Sequence, residues 1–203
     1  YTYLLFPYYE KGDLYEHIKN NPIDEFKLKH YIYQMLFSIK QLNDIGFVHC
    51  DIKLENFLVE NDNKLVLTDF GSVKKITDSD KHLWSLDRKV GTKMYLPPEF
   101  TLDFYNQKSD IWSLGVCFYN VITNNVLYED VIEYEYDTYI LQSDKLKIDK
   151  NILSHSGQFL LRRMLQISPN NRISVESALN DKWFDNIRDD YIEIYIAENE
   201  VEL

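Results

Sequence analysis

The clearest hydrophobic pattern in the chain lies between Asp24 and Ile45. Its apolar positions are separated by three or four residues, a spacing that places side chains on one face of a helix. They are Phe26, Leu28, Tyr31, Ile32, Met35, Leu36, Ile39 and Leu42. The pattern predicts a long amphipathic or largely buried helix. Asp24 is a candidate N-cap, and Gly46 suits the position that ends the helix.

Two more helices are indicated by their starting residues. Gly12-Asp13 turns the chain into a helix that begins near Leu14. Ser109 or Asp110 begins the run IWSLGVCFYNVIT, which is apolar on all sides. A helix without a polar face is predicted to lie in the centre of a domain rather than on its surface.

The remaining elements have weaker patterns. Residues 156–165 and 175–179 predict two short helices, and the acidic, aromatic residues 128–141 predict an exposed helix with a loop. Thr2–Phe6 has the aromatic and aliphatic residues of a buried strand, which Pro7 ends because proline cannot donate to a sheet ladder. No earlier strand is available to pair with it, so we expect its partner strands to be missing from this sequence.

A polar run and a predicted hairpin occupy residues 49–71. The apolar runs 57–59 and 65–67 are separated by a short loop and predict two paired strands. Asp51 precedes this hairpin and Asp69 follows it, with Lys53 and Asn56 between them. Two carboxylates placed in this way can hold a divalent metal on one side and a hydroxyl nucleophile on the other. The arrangement indicates phosphoryl-transfer chemistry.

Composition and charge narrow the class of protein. The 203 residues are 45% hydrophobic and 27% charged, which predicts one globular domain with a sizeable core. The formal charge of −11 disfavours nucleic acid as a partner, because a phosphate backbone requires a basic surface. This charge is compatible with basic protein substrates, but an ordinary solvated acidic surface is the favoured interpretation.

The cysteine count and the apolar runs bear on location. Cys50 and Cys117 are the only cysteines, so no disulfide framework is indicated, and a reducing intracellular compartment is favoured. We take this compartment as the cytoplasm and leave the nucleus open. No apolar run reaches the roughly 18 residues of a membrane span. The first ten residues lack the features of a signal peptide and suggest a chain cut in the middle of a domain.

Five short motifs occur in the order in which eukaryotic protein kinases have them. Residues 49–56, HCDIKLEN, resemble the catalytic loop H-R-D-L-x-x-x-N, and residues 69–71 resemble D-F-G. Residues 97–99, PPE, stand where the family has A-P-E. Residues 110–115 look like the D-x-W-x-x-G of its central helix, and residues 169–172 resemble its late arginine motif. Asp51 and Asp69 are 18 positions apart, as in the family.

The resemblance implies a role for each polar residue of the hairpin region. Asp51 would accept or orient the proton of the substrate hydroxyl, and Lys53 would steady the transferring phosphoryl group. Asn56 and Asp69 would hold Mg²⁺ ions that bridge the phosphates of ATP. Thr92 would hydrogen-bond the Asp51–Lys53 pair. The presence of Lys53 two residues after Asp51, together with Thr92, is similar to serine/threonine kinases. A lone aspartate would more simply be read as capping a turn.

The resemblance also implies an adenine and ribose site. Phe6 resembles the gatekeeper position, and Tyr8 and Tyr9 belong to the hinge whose backbone would bind adenine. Asp13 matches an acidic position near the ribose, and Leu58 would pack beneath the adenine ring. For Leu58, plain core packing is compatible with this role.

Further pairs follow from the same resemblance. His49, Phe70 and Asp110 would form part of an internal spine that joins the catalytic loop to the central helix. Glu99 and Arg172 would form a buried ion pair.

Two departures from the family pattern coincide. Cys50 replaces the arginine that receives an activation-loop phosphate, and Arg88 occupies the usual phosphoacceptor position. We therefore hypothesise that phosphorylation at that position does not switch this loop, with Ser79 and Ser85 as remaining acceptors. A nucleophilic role for Cys50 beside His49 is the less favoured alternative.

The predicted fold is mainly α with a small β component, corresponding to the large C-terminal lobe of an incomplete kinase fold. We expect residues 1–184 to form the kinase unit and residues 185–203 an acidic tail. The predicted function is a serine/threonine protein kinase that transfers the γ-phosphoryl group of ATP to protein hydroxyls. Because the glycine-rich loop and the strand lysine are missing, these residues alone should be inactive. The alternative is an inactive pseudokinase or an interaction module that binds partners through residues 128–141.

Overall fold

The computed structural model describes residues 3, 5–61, 64–76, 91–102, 105–125, 127, 146, 148–149, 151–189 and 191. These residues form α-helices, 3₁₀ turns and short strands, so the described part is mainly helical with a small β component, as predicted. Within this part, no helix has the length and apolar character needed to cross a membrane.

The first two helices begin at aspartate caps. Helix α1 spans Leu14–Asn20, and the Asp13 carboxylate accepts a hydrogen bond from the backbone N–H of Glu16 at 2.9 Å. Helix α2 spans Glu25–Asp44, and Asp24 caps it in the same way. Gly46 lies just beyond α2 with a positive φ of 83°, a conformation that glycine adopts without strain. Both predicted N-termini are therefore confirmed, and the helix buries most of the predicted apolar stripe.

Two antiparallel ribbons hold the segment between residues 47 and 75. The strands are β1 (Phe47–Val48), β2 (Phe57–Asn61), β3 (Lys64–Leu67) and β4 (Lys74–Lys75). Strand β2 pairs with β3, which confirms the predicted hairpin, and β1 pairs with β4. The hairpin register pairs Phe57 with Leu67, Leu58 with Val66 and Val59 with Leu65. The polar residues that follow β1 and precede β4 are therefore anchored at both ends.

Helix α3, Gln107–Thr123, is the buried centre of the domain. The side chains of Ile111, Trp112 and Leu114 have no exposed surface, which confirms the predicted position. The helix starts earlier than predicted, because Asn106 and Ser109 cap each other's backbone in a reciprocal capping box. Such a polar exchange is invisible to a search for apolar periodicity.

The remaining helices complete the core against α2 and α3. Helix α4 spans His155–Met164 and helix α5 spans Val175–Leu179, close to the predicted bounds. Short 3₁₀ turns cover Leu54–Asn56, Phe70–Ser72, Lys93–Tyr95, Pro98–Leu102 and Lys182–Phe184. A second, smaller apolar cluster consists of Val48, Cys50, Leu96, Phe100 and Tyr105.

The predicted buried strand at Thr2–Phe6 is wrong for the residues described there. Tyr3, Leu5 and Phe6 adopt no strand, and their exposed fractions are 83%, 98% and 79%. A strand is stable only when a neighbour satisfies its backbone, and no described strand pairs with these residues. Apolar composition alone therefore overstated the local order.

Two described residues that follow residue 184, Ile187 and Tyr191, pack in the part of the core that α2 forms. The Ile187 side chain is buried, and the Tyr191 ring stacks on that of Tyr33 with centroids 4.8 Å apart. This packing involves the beginning of the predicted acidic tail. The predicted helix at 128–141 and the tail beyond residue 191 lie outside the described residues.

Candidate functional site

Asp110, in the first turn of α3, fixes the start of the polar segment. Its carboxylate accepts hydrogen bonds from the backbone N–H of His49 at 2.8 Å and of Cys50 at 3.0 Å. The Tyr105 hydroxyl donates to the same carboxylate at 2.8 Å. Burial raises the pKa of Asp110, and these three donors act in the opposite direction by stabilising its charged form. The buried carboxylate thereby ties the catalytic-loop candidate to the centre of the domain.

Tyr105 is a contributor that the sequence motifs do not reveal. It lies five positions before Asp110, in the irregular stretch that leads into α3, and its side chain is buried in the smaller apolar cluster. No local periodicity or motif marks such a residue. Its hydrogen bond to Asp110 depends on the folded path of the chain.

Cys50 occupies a strained backbone position inside that cluster. Its φ is 66°, which is uncommon for a residue with a side chain, and the two N–H groups held by Asp110 stabilise this conformation. The thiol is 1% exposed. Burial, reinforced by the charge of Asp110, raises the pKa of the Cys50 thiol well above its ordinary range. A buried thiol that resists ionisation is unsuited to nucleophilic chemistry.

Gly91, the first described residue after residue 76, lies directly against the loop at Cys50. A Cβ atom at Gly91 would lie 3.0 Å from the backbone oxygen of Cys50 and 2.6 Å from Leu96 Cδ2. Gly91 also has a positive φ of 84°. Glycine is therefore required there for both space and conformation, and it delivers Thr92 to the polar site.

Asp51, Lys53 and Thr92 form a closed triangle of polar contacts. Lys53 Nζ donates to Thr92 Oγ1 at 3.0 Å, and Thr92 Oγ1 donates to Asp51 Oδ1 at 2.9 Å. The ammonium group of Lys53 also lies 3.2 Å from Asp51 Oδ2. Each of the three side chains is only partly exposed, so the carboxylate is held in one orientation yet stays reachable. Such a carboxylate can accept a proton while a neighbouring cation stabilises developing negative charge.

Asn56 extends the site towards the hairpin. Its Nδ2 donates to the backbone oxygen of Asp51 at 2.7 Å and lies 3.3 Å from Asp51 Oδ2. The backbone oxygen of Asn56 accepts from the N–H of Thr68 at 2.9 Å, across the base of the hairpin. With the amide nitrogen engaged by Asp51, the Oδ1 oxygen is the atom that can serve a cation.

Asp69 lies at the other side of the hairpin base, in the left-handed backbone region with φ 58° and ψ 69°. Aspartate tolerates this region better than most residues, because its short polar side chain can bond locally. Here Asp69 Oδ1 accepts from the N–H of Gly71 at 3.3 Å. Its exposed carboxylate, together with the Asn56 amide oxygen, offers the hard oxygen ligands that Mg²⁺ prefers.

The contacts expected of an internal spine are present. The rings of His49 and Phe70 meet edge to face with centroids 5.6 Å apart. His49 Nε2 lies 3.1 Å from the backbone oxygen of Thr68, and the backbone N–H of His49 is bound by Asp110. A continuous path therefore runs from α3 through His49 to the segment that carries Asp69.

The five residues predicted to bind the nucleotide are only partly brought together. Asp13 and Leu58 pair in an isolated antiparallel bridge, and Leu58 and Tyr9 are half-buried. The Asp13 carboxylate caps α1, a structural use that does not require a ligand. Phe6 and Tyr8 are largely exposed, with Tyr8 87% exposed, so they do not enclose the other three residues.

Comparisons with known proteins agree on one kind of domain. A family model described as "Protein kinase domain" matches residues 1–184. The chain is 34% identical over 188 residues to Aurora kinase of Debaryomyces hansenii, covering 91% of this chain and 44% of the relative. It is 34% identical over 193 residues to the serine/threonine-protein kinase cds1 of Schizosaccharomyces pombe, covering 90% of this chain and 41% of the relative. The chain thus spans less than half the length of these curated relatives.

Proposed function

Because this chain belongs to the protein kinase domain family, we propose that the protein containing it transfers the γ-phosphoryl group of ATP to serine and threonine hydroxyls of protein substrates. The observation that carries this proposal is the triangle of Asp51, Lys53 and Thr92. A site that had lost its chemistry would have no evident need for a carboxylate held by both a lysine and a threonine.

The residues of the triangle divide the work of the transfer. Asp51 accepts the proton of the attacking hydroxyl and orients that hydroxyl towards the phosphorus. Lys53 lies beside Asp51 and stabilises negative charge on the transferring group. Thr92 holds both side chains, so little reorganisation is needed during the reaction. Positioning and charge stabilisation of this kind supply most of the catalysis in phosphoryl transfer.

Members of this family use ATP and a divalent metal. We propose Mg²⁺ as the metal and Asn56 and Asp69 as the residues that would hold it. Held by these residues, Mg²⁺ would neutralise negative charge on the phosphates of ATP. Asp13, Leu58 and Tyr9 are the described residues best placed to contribute to the nucleotide site. A backbone bridge joins Asp13 to Leu58, which lies in strand β2 of the hairpin. Residues 1–184 are proposed as the kinase unit.

Three features support serine and threonine hydroxyls of proteins as the acceptors. Lys53 and Thr92 are the pair that resembles serine/threonine kinases, and one relative at 34% identity, cds1 of Schizosaccharomyces pombe, is named a serine/threonine-protein kinase. The charge of −11 is a poor match for nucleic acid and suits basic protein substrates.

A phosphotransfer assay on the full-length protein tests the proposal. ATP labelled at the γ-position, Mg²⁺ and a mixed serine/threonine protein substrate should give labelled protein. Asp51→Asn and Asp69→Asn should each reduce the rate by at least about 100-fold, as expected for loss of a proton acceptor or a metal ligand. Asp44→Asn is the matched control, because Asp44 pairs with Lys40 on the surface of α2. Activity that survives both site changes would overturn the assignment of the site.

A further inference from the structure

A side-chain relay outside the site joins the segment after residue 184 to the hairpin. The Tyr191 hydroxyl lies 3.0 Å from His30 Nδ1 and 3.2 Å from the backbone oxygen of His30. It also accepts a hydrogen bond from Gln34 Nε2 at 3.0 Å. The Tyr191 ring is fixed by stacking on Tyr33. The hydroxyl is therefore held at one point on the surface of α2.

Gln34 connects this hydroxyl to strand β3. Its Oε1 accepts a hydrogen bond from the backbone N–H of Leu65 at 2.9 Å. A backbone N–H can only donate, so the amide oxygen must face Leu65 and the amide nitrogen must face Tyr191. The amide oxygen and the amide nitrogen of Gln34 are therefore both engaged, which fixes one orientation of the side chain. Tyr191 stabilises the orientation that the Leu65 N–H requires.

Leu65 belongs to the hairpin whose base carries the proposed metal ligands. It pairs with Val59 in the ladder, and three residues further along the chain Thr68 bonds the backbone of Asn56. Asp69 follows directly. An outer strand with an unsatisfied N–H would be free to shift its register or twist, and Gln34 satisfies that N–H from the neighbouring helix.

We propose that Gln34 is a positioning residue for the metal-binding base of the hairpin, and that Tyr191 positions Gln34. Tyr191 then tunes the reaction through Gln34. This inference rests on the proposed function, because Asn56 and Asp69 are the groups being positioned.

The experiment combines a kinetic readout with one that needs no catalysis. In the full-length protein, Gln34→Leu should raise the Mg²⁺ concentration for half-maximal activity by about two- to tenfold, the effect of one lost hydrogen bond. It should also speed hydrogen exchange at the Leu65 amide in the metal-free protein. Tyr191→Phe removes a single oxygen atom and should shift both readouts in the same direction by a smaller factor.

A charge-bearing variant provides rescue. In Gln34→Glu a second carboxylate oxygen replaces the amide nitrogen that donates to Tyr191 and to the backbone oxygen of His30, and the tyrosine hydroxyl can give its proton to that carboxylate oxygen in place of the His30 oxygen. Gln34→Glu should therefore keep Leu65 protected, whereas the double change Gln34→Glu with Tyr191→Phe should lose that protection. Gln166→Leu is the matched control, because the side-chain amide of Gln166 donates to the backbone oxygen of Arg162 in α4.

The outcomes separate the two proposals. An inactive wild-type protein counts against the proposed function, and Leu65 exchange then still tests the relay. An active wild type in which Gln34→Leu leaves both the Mg²⁺ dependence and Leu65 exchange unchanged overturns the relay alone. If Gln34→Leu does not fold, Tyr191→Phe and the Gln34→Glu pair decide the matter by the same readouts.

Discussion

Arg172 and Glu99 form a bidentate ion pair that is sealed from solvent. Arg172 Nη1 lies 2.6 Å from Glu99 Oε1, and Nη2 lies 2.8 Å from Oε2. The guanidinium also donates to backbone oxygens of Lys108, Gln166 and Ile167, and Ser109 Oγ donates to Glu99. The pair joins the turn that follows the site, the first turn of α3 and the loop after α4.

Removing one partner of this pair should be severely destabilising. Arg172→Ala leaves the Glu99 carboxylate buried without its counter-charge, so we expect unfolding free energy to fall by about 3–5 kcal/mol. Denaturant unfolding measures the change. Lys40→Ala breaks the exposed pair with Asp44 and should cost no more than about 0.5 kcal/mol. A loss of under about 1 kcal/mol for Arg172→Ala would contradict the burial of the pair.

Thr92→Val should separate catalysis from stability. Valine has the shape of threonine but cannot accept from Lys53 or donate to Asp51, so both side chains lose their fixed orientation. We expect kcat/KM of the full-length protein to fall by roughly 10- to 100-fold, the scale of a misplaced catalytic group. Thr92→Ser keeps the hydroxyl and should retain most activity. Equal activity of the two variants would show that the hydroxyl is not needed.

Glu25 should make part of the stability depend on pH. Burial pushes the pKa of its carboxyl up, but hydrogen bonds from Ser154 and Trp183 and the charge of Lys29 outweigh burial and lower it overall. A pKa that is lower in the folded state adds stability above the unfolded value of 4.5, and this stability is lost as the pH falls through the folded pKa.

Glu25→Gln should accordingly be less stable than wild type at pH 7, and the difference should shrink as the pH falls below about 4.5. Thermal unfolding across pH 3–7 measures it. Trp183→Phe keeps a large ring but removes one donor, so its acid dependence should lie between those of wild type and Glu25→Gln. A stability gap for Glu25→Gln that stays constant with pH would refute the linkage.

Cys50→Arg should damage the protein instead of restoring a switch. The side chain of Cys50 lies in the apolar cluster with Leu96, Phe100 and Tyr105, where a guanidinium would be overpacked and desolvated, and the nearby Asp110 carboxylate is already held by three hydrogen bonds. We expect the variant to lose several kcal/mol of unfolding free energy, the scale of overpacking combined with burial of a charge. Cys50→Ala, which only removes the sulfur atom, should cost about 1 kcal/mol. Arginine tolerated as well as alanine would contradict this prediction.

The elements that could be predicted from sequence are those with a local signal. Helix α2 repeats its apolar residues at helical spacing, and the hairpin has two apolar runs around a short loop. The polar residues of the site stand in recognisable motifs. The Asp24 and Asp13 caps precede their helices directly, so their role is visible in the chain itself.

Other features depend on contacts between distant parts of the chain. Gln34 is separated from Leu65 by 31 positions and from Tyr191 by 157, and nothing in the local sequence marks it. Tyr105 becomes meaningful only through Asp110. The strand expected at Thr2–Phe6 failed for the complementary reason: its residues favour a strand, but a strand also needs a partner in space.

The bond from Asp110 to the backbone of His49 and Cys50 has a consequence for the order of folding. It closes loops of 61 and 60 residues, and such distant closures are slower and entropically costlier than contacts within a helix or hairpin. The left-handed turn at Cys50, which sets the direction of Asp51, is stabilised only after α3 has docked. A chain that has formed α1, α2 and the hairpin therefore still lacks a fixed orientation of Asp51, the proposed proton acceptor, so the geometry of the candidate site arises with global assembly and not before it.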